Sequence, residues 1–499
     1  MTNVIKLKQA NLPLIPDTVR KPTYDRNQVK TSIVHIGVGN FHRSHEAFLT
    51  HRLMEETGDL NNGICGIGLL DHDRRIYNAL TSQDGLYTLV IKEMDGTRTA
   101  HVVGSIIEFI LAPDNPIGAI EKMASPDTKI ISMTITEGGY NLNEGAGSFD
   151  FTNPVVVEDM KNPLSPKTVF GYLAQAFKLR KERNSGGVTI QSCDNIQNNG
   201  QVAKKALMSY ITKVYPELVE WVNTHVTFPN SMVDRITPVT VADDIERLAD
   251  EFQIEDQWPV VCEPFIQWVV EDHYAASRPA WEKVGATFVE DVTPYEHMKL
   301  RLLNAGHTVL GMLGALHGYD TIDQSAEDAD FSKFLVDYMD KEVSSTLGDL
   351  KGIDLEDYKK KLLSRFRNKN IRDQIARICL QSSAKIPIFI LSTVNARLAA
   401  GQTVERAAFT IAAWCKYNDG IDEKERSYKI DDVMSNELVR VAALSHVEPK
   451  AFLNLKAVFG DLNQKGPFVE AFERSLKMIR THTIKECVQL INKKEENEK

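Results

Sequence analysis

The stretch KLRLLNAGH places a potential base, an amide and an imidazole close together: Lys299, Asn304 and His307. On an α-helix turning about 100° per residue they fall at roughly 0°, 140° and 80°, so all three can face one pocket. Leu303 and Leu310 lie on the same side, so this face is not simply solvated, and polar groups on a part-apolar face cost free energy unless paired. One reading is a hydrogen-bond cluster between domains. The other is alcohol oxidation: a hydride leaves carbon only if the hydroxyl proton leaves too, so a base must stand within hydrogen-bond reach of that oxygen. A lysine can serve if desolvation or a neighbouring cation lowers its pKa from about 10.4 towards about 7 or 8. Asparagine amides can then donate to the developing alkoxide.

A second signal lies near the N-terminus. Residues 32–36 read as a short buried strand running into Gly37-Val38-Gly39 and then a helix through Ala47 and Leu53. In a doubly wound sheet this turn lets a pyrophosphate approach backbone N–H groups at a helix N-terminus, which calls for glycines without Cβ. His42 stands where the third glycine of that fingerprint falls, so the alternative is two glycines that simply make a tight turn. A second strand, residues 65–70, ends in Asp71-His72-Asp73, and an acid there can accept both hydroxyls of an adenosine ribose, as NAD requires. The spacing is longer than usual, in keeping with a polar insertion at 55–63. Arg74 and Arg75 stand next door and could pair with a 2′-phosphate, which leaves NADP open. His42 and His45, three apart, have no obvious third ligand beside them; packing or a phosphate turn explains them, and no metal is assigned.

The elements that must position these groups follow from the whole chain. Its 499 residues are too many for one typical core and predict two domains. Short apolar runs at 64–70, 87–91, 129–136 and 188–192 alternate with helical or polar stretches such as 168–181, which predicts α/β architecture with a mainly parallel sheet. From about Pro294 helix-period segments take over, at 296–316, 331–338, 358–366, 371–380, 404–417 and 469–491. The expected division is therefore 1–290, a Rossmann-type doubly wound domain, and 291–499, mostly α-helical. Residues 346–357, with two glycines and several acids, read as a surface connection, and 492–499 as a solvated charge run.

A net charge of −10 argues against a general affinity for nucleic acid or acidic membrane. The six cysteines are widely scattered, without zinc-knuckle or dithiol spacing, which fits reduced thiols in a cytoplasmic protein. No apolar stretch reaches the roughly 20 residues that span a bilayer, and residues 1–15 lack a signal-like apolar core.

The spacing of Lys299, Asn304 and His307, together with Ser192-Cys193-Asp194-Asn195, resembles the long-chain mannitol dehydrogenase family of polyol dehydrogenases. Further similar stretches run almost the full length: GVGNFHRSH (37–45), TITEGGY (134–140), PKTVFGY (166–172), MVDRITP (232–238) and PVVCEPFIQW (259–268). The resemblance implies a zinc-independent enzyme with a substrate cleft between its two domains. It places Gly37, Gly39, Asn40, Phe41, Asp71 and Asp73 at the cofactor, NAD with NADP open. Lys299 would be the general base, Asn195 and Asn304 would hold the substrate oxygen, and His307 would orient the substrate. Asp234, Arg377 and Lys385 would line the polyol or nicotinamide side, with Glu296 relaying protons or tuning the lysine. Members commonly carry a serine just before the helix histidine, where this chain has Gly306, and often an acid where it has His72. The expected reaction interconverts D-mannitol and D-fructose, and the resemblance is compatible with a monomer. Fructuronate reduction to mannonate, oxidation of arabinitol or sorbitol, and a dinucleotide sensor without catalysis are the competing readings.

Overall fold

The computed structural model describes residues 4–143, 147–348, 350 and 353–496. The chain divides into two compact units, Met1–Thr293 and Pro294–Lys499.

The first unit is built on a six-stranded sheet. Its strands are β1 (Thr31–Ile36), β2 (Gly63–Gly68), β3 (Ile106–Leu111), β4 (Ile130–Met133), β5 (Val188–Ser192) and β6 (Val226–Thr227). They lie in the order β3-β2-β1-β4-β5-β6, and every pairing is parallel. This is the doubly wound order of dinucleotide-binding sheets, in which ligands sit beyond the carboxyl ends of the strands where the order reverses, here between β1 and β4. Both faces are covered, as parallel sheets require. Val34 and Ile36 of β1 join a core with helices Val169–Arg183 and Asn199–Val214, while Ile33 packs with Phe48, Leu49 and Leu53 on the other face. The apolar run at 87–91 forms Tyr87–Lys92, but in a separate three-stranded sheet: it pairs antiparallel with Arg98–Val103 and parallel with Val260–Cys262. The place it was expected to take in the parallel sheet belongs to β3.

The second unit is helical. Its central helix, Ala305–His317, buries eleven of its thirteen residues, and a helix apolar all round belongs inside a core. It packs against Ile322–Glu327, Ile375–Cys379 and Glu405–Tyr417. The expected helix at 371–380 is confined to Ile375–Cys379. The one expected at 469–491 is two helices, Gly466–Thr481 and Ile484–Glu496. Helix carries into the charged tail as far as Glu496; residues 497–499, and 349, 351 and 352 of the connection at 346–357, lie outside the described residues. Among the described residues no helix is long and apolar enough to cross a membrane.

Candidate active site

In the first unit the glycine turn walls a cavity of about 410 Å³ together with Leu69, Leu70, His72, Asp73, residues 134–136 and Lys167. Gly37 has φ +89°, and a Cβ there would sit 2.2 Å from the Thr134 carbonyl oxygen, so only glycine fits. Gly39 caps the helix Asn40–Ser44, and a Cβ on it would meet nothing closer than 3.9 Å; its bareness opens the approach to the helix N-terminus rather than relieving a clash. Asn40 turns its side chain into the protein: Nδ2 donates to Thr240 Oγ1 (3.0 Å) and Oδ1 accepts from Arg43 (2.7 Å). Phe41 stacks on His45.

The two acids expected at the ribose separate. Asp73 lines the cavity and accepts the Leu70 N–H at 2.9 Å. Asp71 is not on the wall; its side chain is 87% exposed and lies 3.5 Å from Arg74. The reason is the tight turn Asp71–Asp73, which directs successive side chains apart.

His42 and His45 are buried; His42 meets Glu46 one helical turn on, whereas His45 reaches a partner far off in sequence. The Nδ1 atoms of His35 and His42 lie 3.0 and 3.2 Å from Glu46 Oε2, the two rings stack at 3.3 Å, and His45 Nε2 meets the Gln267 carbonyl at 3.0 Å. Burial holds His42 down to about 3 and His45 to about 4. Burial pushes Glu46 up, but the His35 and His42 imidazoles beside it outweigh that, leaving the carboxyl below its ordinary range. The pair seen in the sequence is thus the visible half of a buried group beneath the turn; Glu46 stands at the i,i+4 spacing from His42, while His35 comes from the preceding strand and no local spacing points to it.

At the end of β5, Asp194 is buried and accepts from Thr136 N (2.8 Å), Ile135 N (3.1 Å) and Tyr140 Oη (2.7 Å). Burial pushes its carboxyl up despite these donors. Asn199 stitches the same turn from below, its Nδ2 donating to the Ser192, Asp194 and Ser231 carbonyls. Asn195 is exposed on this braced turn. Asp234 is buried at the end of strand Ser231–Asp234. Tyr140 stands in a stretch already singled out, but neither it nor Asn199 announces its bracing role by spacing.

In the second unit Lys299 and Glu296 are buried, at 6% and 4% exposure. The helix that carries them is not α throughout. Residues Lys299–Asn304 form a π turn between Thr293–Met298 and Ala305–His317, and Ala305 N–H bonds back to Leu300 O. Closing i to i+5 widens the turn, so Asn304 comes nearer the Lys299 side of the helix than the roughly 140° an α-helix would give. Asn304 Oδ1 is buried and has no hydrogen-bond partner among the described residues. His307 Nε2 lies 3.7 Å from Asp373 Oδ2, and the same carboxylate receives Arg377 at 2.6–2.9 Å. Arg377 is therefore exposed and tied to Asp373. Lys385 is half-buried and donates to the Ile378 carbonyl at 3.2 Å. Where a serine was expected, Gly306 leaves room for Phe366, whose ring would lie 3.0 Å from a Cβ there and packs 4.6 Å from the His307 ring.

The chain matches two family models, the mannitol dehydrogenase Rossmann domain over residues 31–283 and the mannitol dehydrogenase C-terminal domain over residues 291–480. It is 42% identical to a mannitol 2-dehydrogenase of Aspergillus oryzae, covering 92% of this chain and 93% of that one. With a mannitol dehydrogenase of Saccharomyces cerevisiae it shares 40% identity over 96% of each. Among solved structures it is similar to Pseudomonas fluorescens mannitol 2-dehydrogenase in ternary complex with NAD and D-mannitol, at 40% identity and TM-score 0.88 over 98% of this chain and 100% of the other. A D-sorbitol dehydrogenase in substrate-free form gives 37% identity and TM-score 0.91 over 97% and 100%.

Proposed function

The chain belongs to the mannitol dehydrogenase family, and from that premise we propose that it is an NAD-dependent polyol dehydrogenase interconverting D-mannitol and D-fructose. The cofactor cavity fits the assignment: Gly37 and Gly39 leave backbone bare at a helix N-terminus and Asp73 lies on the wall. Bound there, the nicotinamide would accept the hydride from the carbinol carbon. Lys299 would take the hydroxyl proton, Asn304 and Asn195 would donate to the oxygen as charge develops on it, and Glu296, one turn before the lysine, would pass the proton on. His307, held towards Asp373, would orient the polyol, with Asp234 and Lys385 as further contacts. No metal is needed in this scheme, so a chelator should leave the rate unchanged.

The observation that carries the reading is the buried Lys299 on the same wide turn as Asn304, whose Oδ1 is buried without a hydrogen-bond partner among the described residues. A neutral polyol is favoured over a uronate because Arg377, one of the two cations that could pair with a substrate carboxylate, is already engaged by Asp373. The test is nicotinamide absorbance with fructose and fructuronate against NADH. Fructose turnover is expected, slowed roughly 10²- to 10⁴-fold in Lys299→Ala, the range for loss of a general base. Turnover of fructuronate alone would overturn the substrate, and a near-wild-type Lys299→Ala the base.

A further inference from the structure

Two side chains of the proposed polyol site share one carboxylate. His307 Nε2 lies 3.7 Å from Asp373 Oδ2. Arg377 clasps the same group along one edge of its guanidinium: Nε donates to Oδ1 at 2.9 Å, and Nη2 donates to Oδ1 at 2.6 Å and to Oδ2 at 2.7 Å. The short helix Ile375–Cys379 that carries Arg377 packs against Ala305–His317, which carries His307. The guanidinium is therefore a fixed neighbour of the histidine, with only the carboxylate between them.

The segment that bears the carboxylate is itself anchored. The Asp373 carbonyl accepts the Ile322 N–H at 2.9 Å, Gln374 bridges to Thr321, and the Asp373 side chain is only 8% exposed. Arg372, just before it, takes φ +52°, a left-handed conformation that few residues other than glycine adopt, and lines a separate cavity with Asp320 and Asp323. The adjacent arginine is thus directed elsewhere, and the buried carboxylate goes to Arg377. The consequence is electrostatic. A guanidinium edge without a partner receives a substrate carboxylate in a two-point pair. Here that edge is filled, and an incoming carboxylate would meet another of like charge, whereas a hydroxyl meets no such repulsion.

We propose that Asp373 is a specificity-determining residue of this site: by occupying the Arg377 guanidinium beside His307 it turns carboxylated sugars away and leaves the site to neutral ketoses and polyols. The inference rests on the polyol reading of the proposed function and adds the residue that enforces it.

The test compares kcat/KM for fructose and fructuronate with NADH in the wild-type chain, in Asp373→Asn and in the double variant Asp373→Asn/Arg377→Ala. The wild type should favour fructose. Asp373→Asn should raise the fructuronate-to-fructose ratio about ten- to a hundredfold, the worth of a charged hydrogen bond, and the added Arg377→Ala should abolish the rise. A ratio unchanged in Asp373→Asn, or a rise that survives the loss of Arg377, would overturn the role of Asp373 while the polyol reading stands. Wild-type preference for fructuronate would overturn both. In wild-type protein alone, mannonate should inhibit fructose reduction no more tightly than mannitol does; tighter inhibition by mannonate overturns the role of Asp373 even where the variants do not fold.

Discussion

Four buried histidines make the first unit acid-sensitive by an amount that can be worked out. Burial holds His42 and His51 down to about 3, and His45 and His101 to about 4, from an ordinary 6.5. The unfolded chain therefore binds more protons below pH 6.5, and stability falls with pH from there down to the folded values. At pH 5 each ring costs about 1.5 × 1.36, or about 2 kcal/mol, and the four together about 8 kcal/mol. Asp159, Asp194 and Asp256, which burial pushes up, act in the opposite sense and reduce that total. Against the 5–15 kcal/mol typical of a domain, the histidine contribution alone is a large fraction, and the net loss by pH 5 is that contribution less the carboxyls' share. Urea unfolding followed by tryptophan fluorescence suits the measurement, because Trp221, Trp258, Trp268 and Trp281 lie in this unit and only Trp414 in the other. His51→Gln, which can still meet the Tyr24 hydroxyl now 2.9 Å from the ring, should remove one proton's worth, up to about 1.4 kcal/mol per pH unit. A total change below about 1.4 kcal/mol between pH 7 and 5, or an unaltered slope in the variant, would refute the reasoning.

Gly37→Ala forces a Cβ against the Thr134 carbonyl at a positive φ; it should cost at least about 1–2 kcal/mol and weaken NADH at least about tenfold by fluorescence titration. Asp194→Asn removes the charged acceptor of Tyr140, Ile135 and Thr136 and should cost about 1–3 kcal/mol in a thermal melt. Glu342, held by burial at about 6 against an ordinary 4.5, keeps its proton in the folded state where the unfolded chain has lost it, so stability falls as pH rises from 4.5 to 6. Glu342→Gln should abolish that loss of about 2 kcal/mol in urea titrations of the second unit. Deleting Arg301 should return residues 299–304 to α-helical register, with circular dichroism close to wild type and kcat lower by roughly 10²- to 10⁴-fold; unchanged kcat would show that the wide turn is dispensable.

The strands of the parallel sheet were legible because strands buried on both faces read as apolar runs, which is how β1, β2, β4 and β5 announce themselves. An apolar run does not name its partner, however, and 87–92 reads the same whether it joins β2 or turns back in a hairpin. β3 follows that hairpin closely and carries Glu108 midway, which breaks its apolar signature. At the site, residue type revealed Lys299, Asn304 and His307. Asp373 lies 66 residues beyond His307, His35 reaches Glu46 from the preceding strand, and no local pattern links such partners.

The π turn is where sequence reasoning failed most usefully. Over six residues the α and π patterns cannot be separated by side-chain periodicity, so the α spacing expected for Lys299, Asn304 and His307 gives way to a wider turn. The wide turn is supported from outside itself: Lys299–Asn304 packs against two more π segments, Met339–Val343 and Pro387–Leu391. The second of these begins at a proline that removes a backbone donor. A buried amide oxygen without a partner costs about 1–3 kcal/mol. Irregular backbone at Lys299–Asn304 and an orphaned Asn304 Oδ1 on the same turn are two departures from local rules at one place, and such departures gather at functional sites. They accord with the substrate site proposed at this helix and stand on grounds separate from the family resemblance.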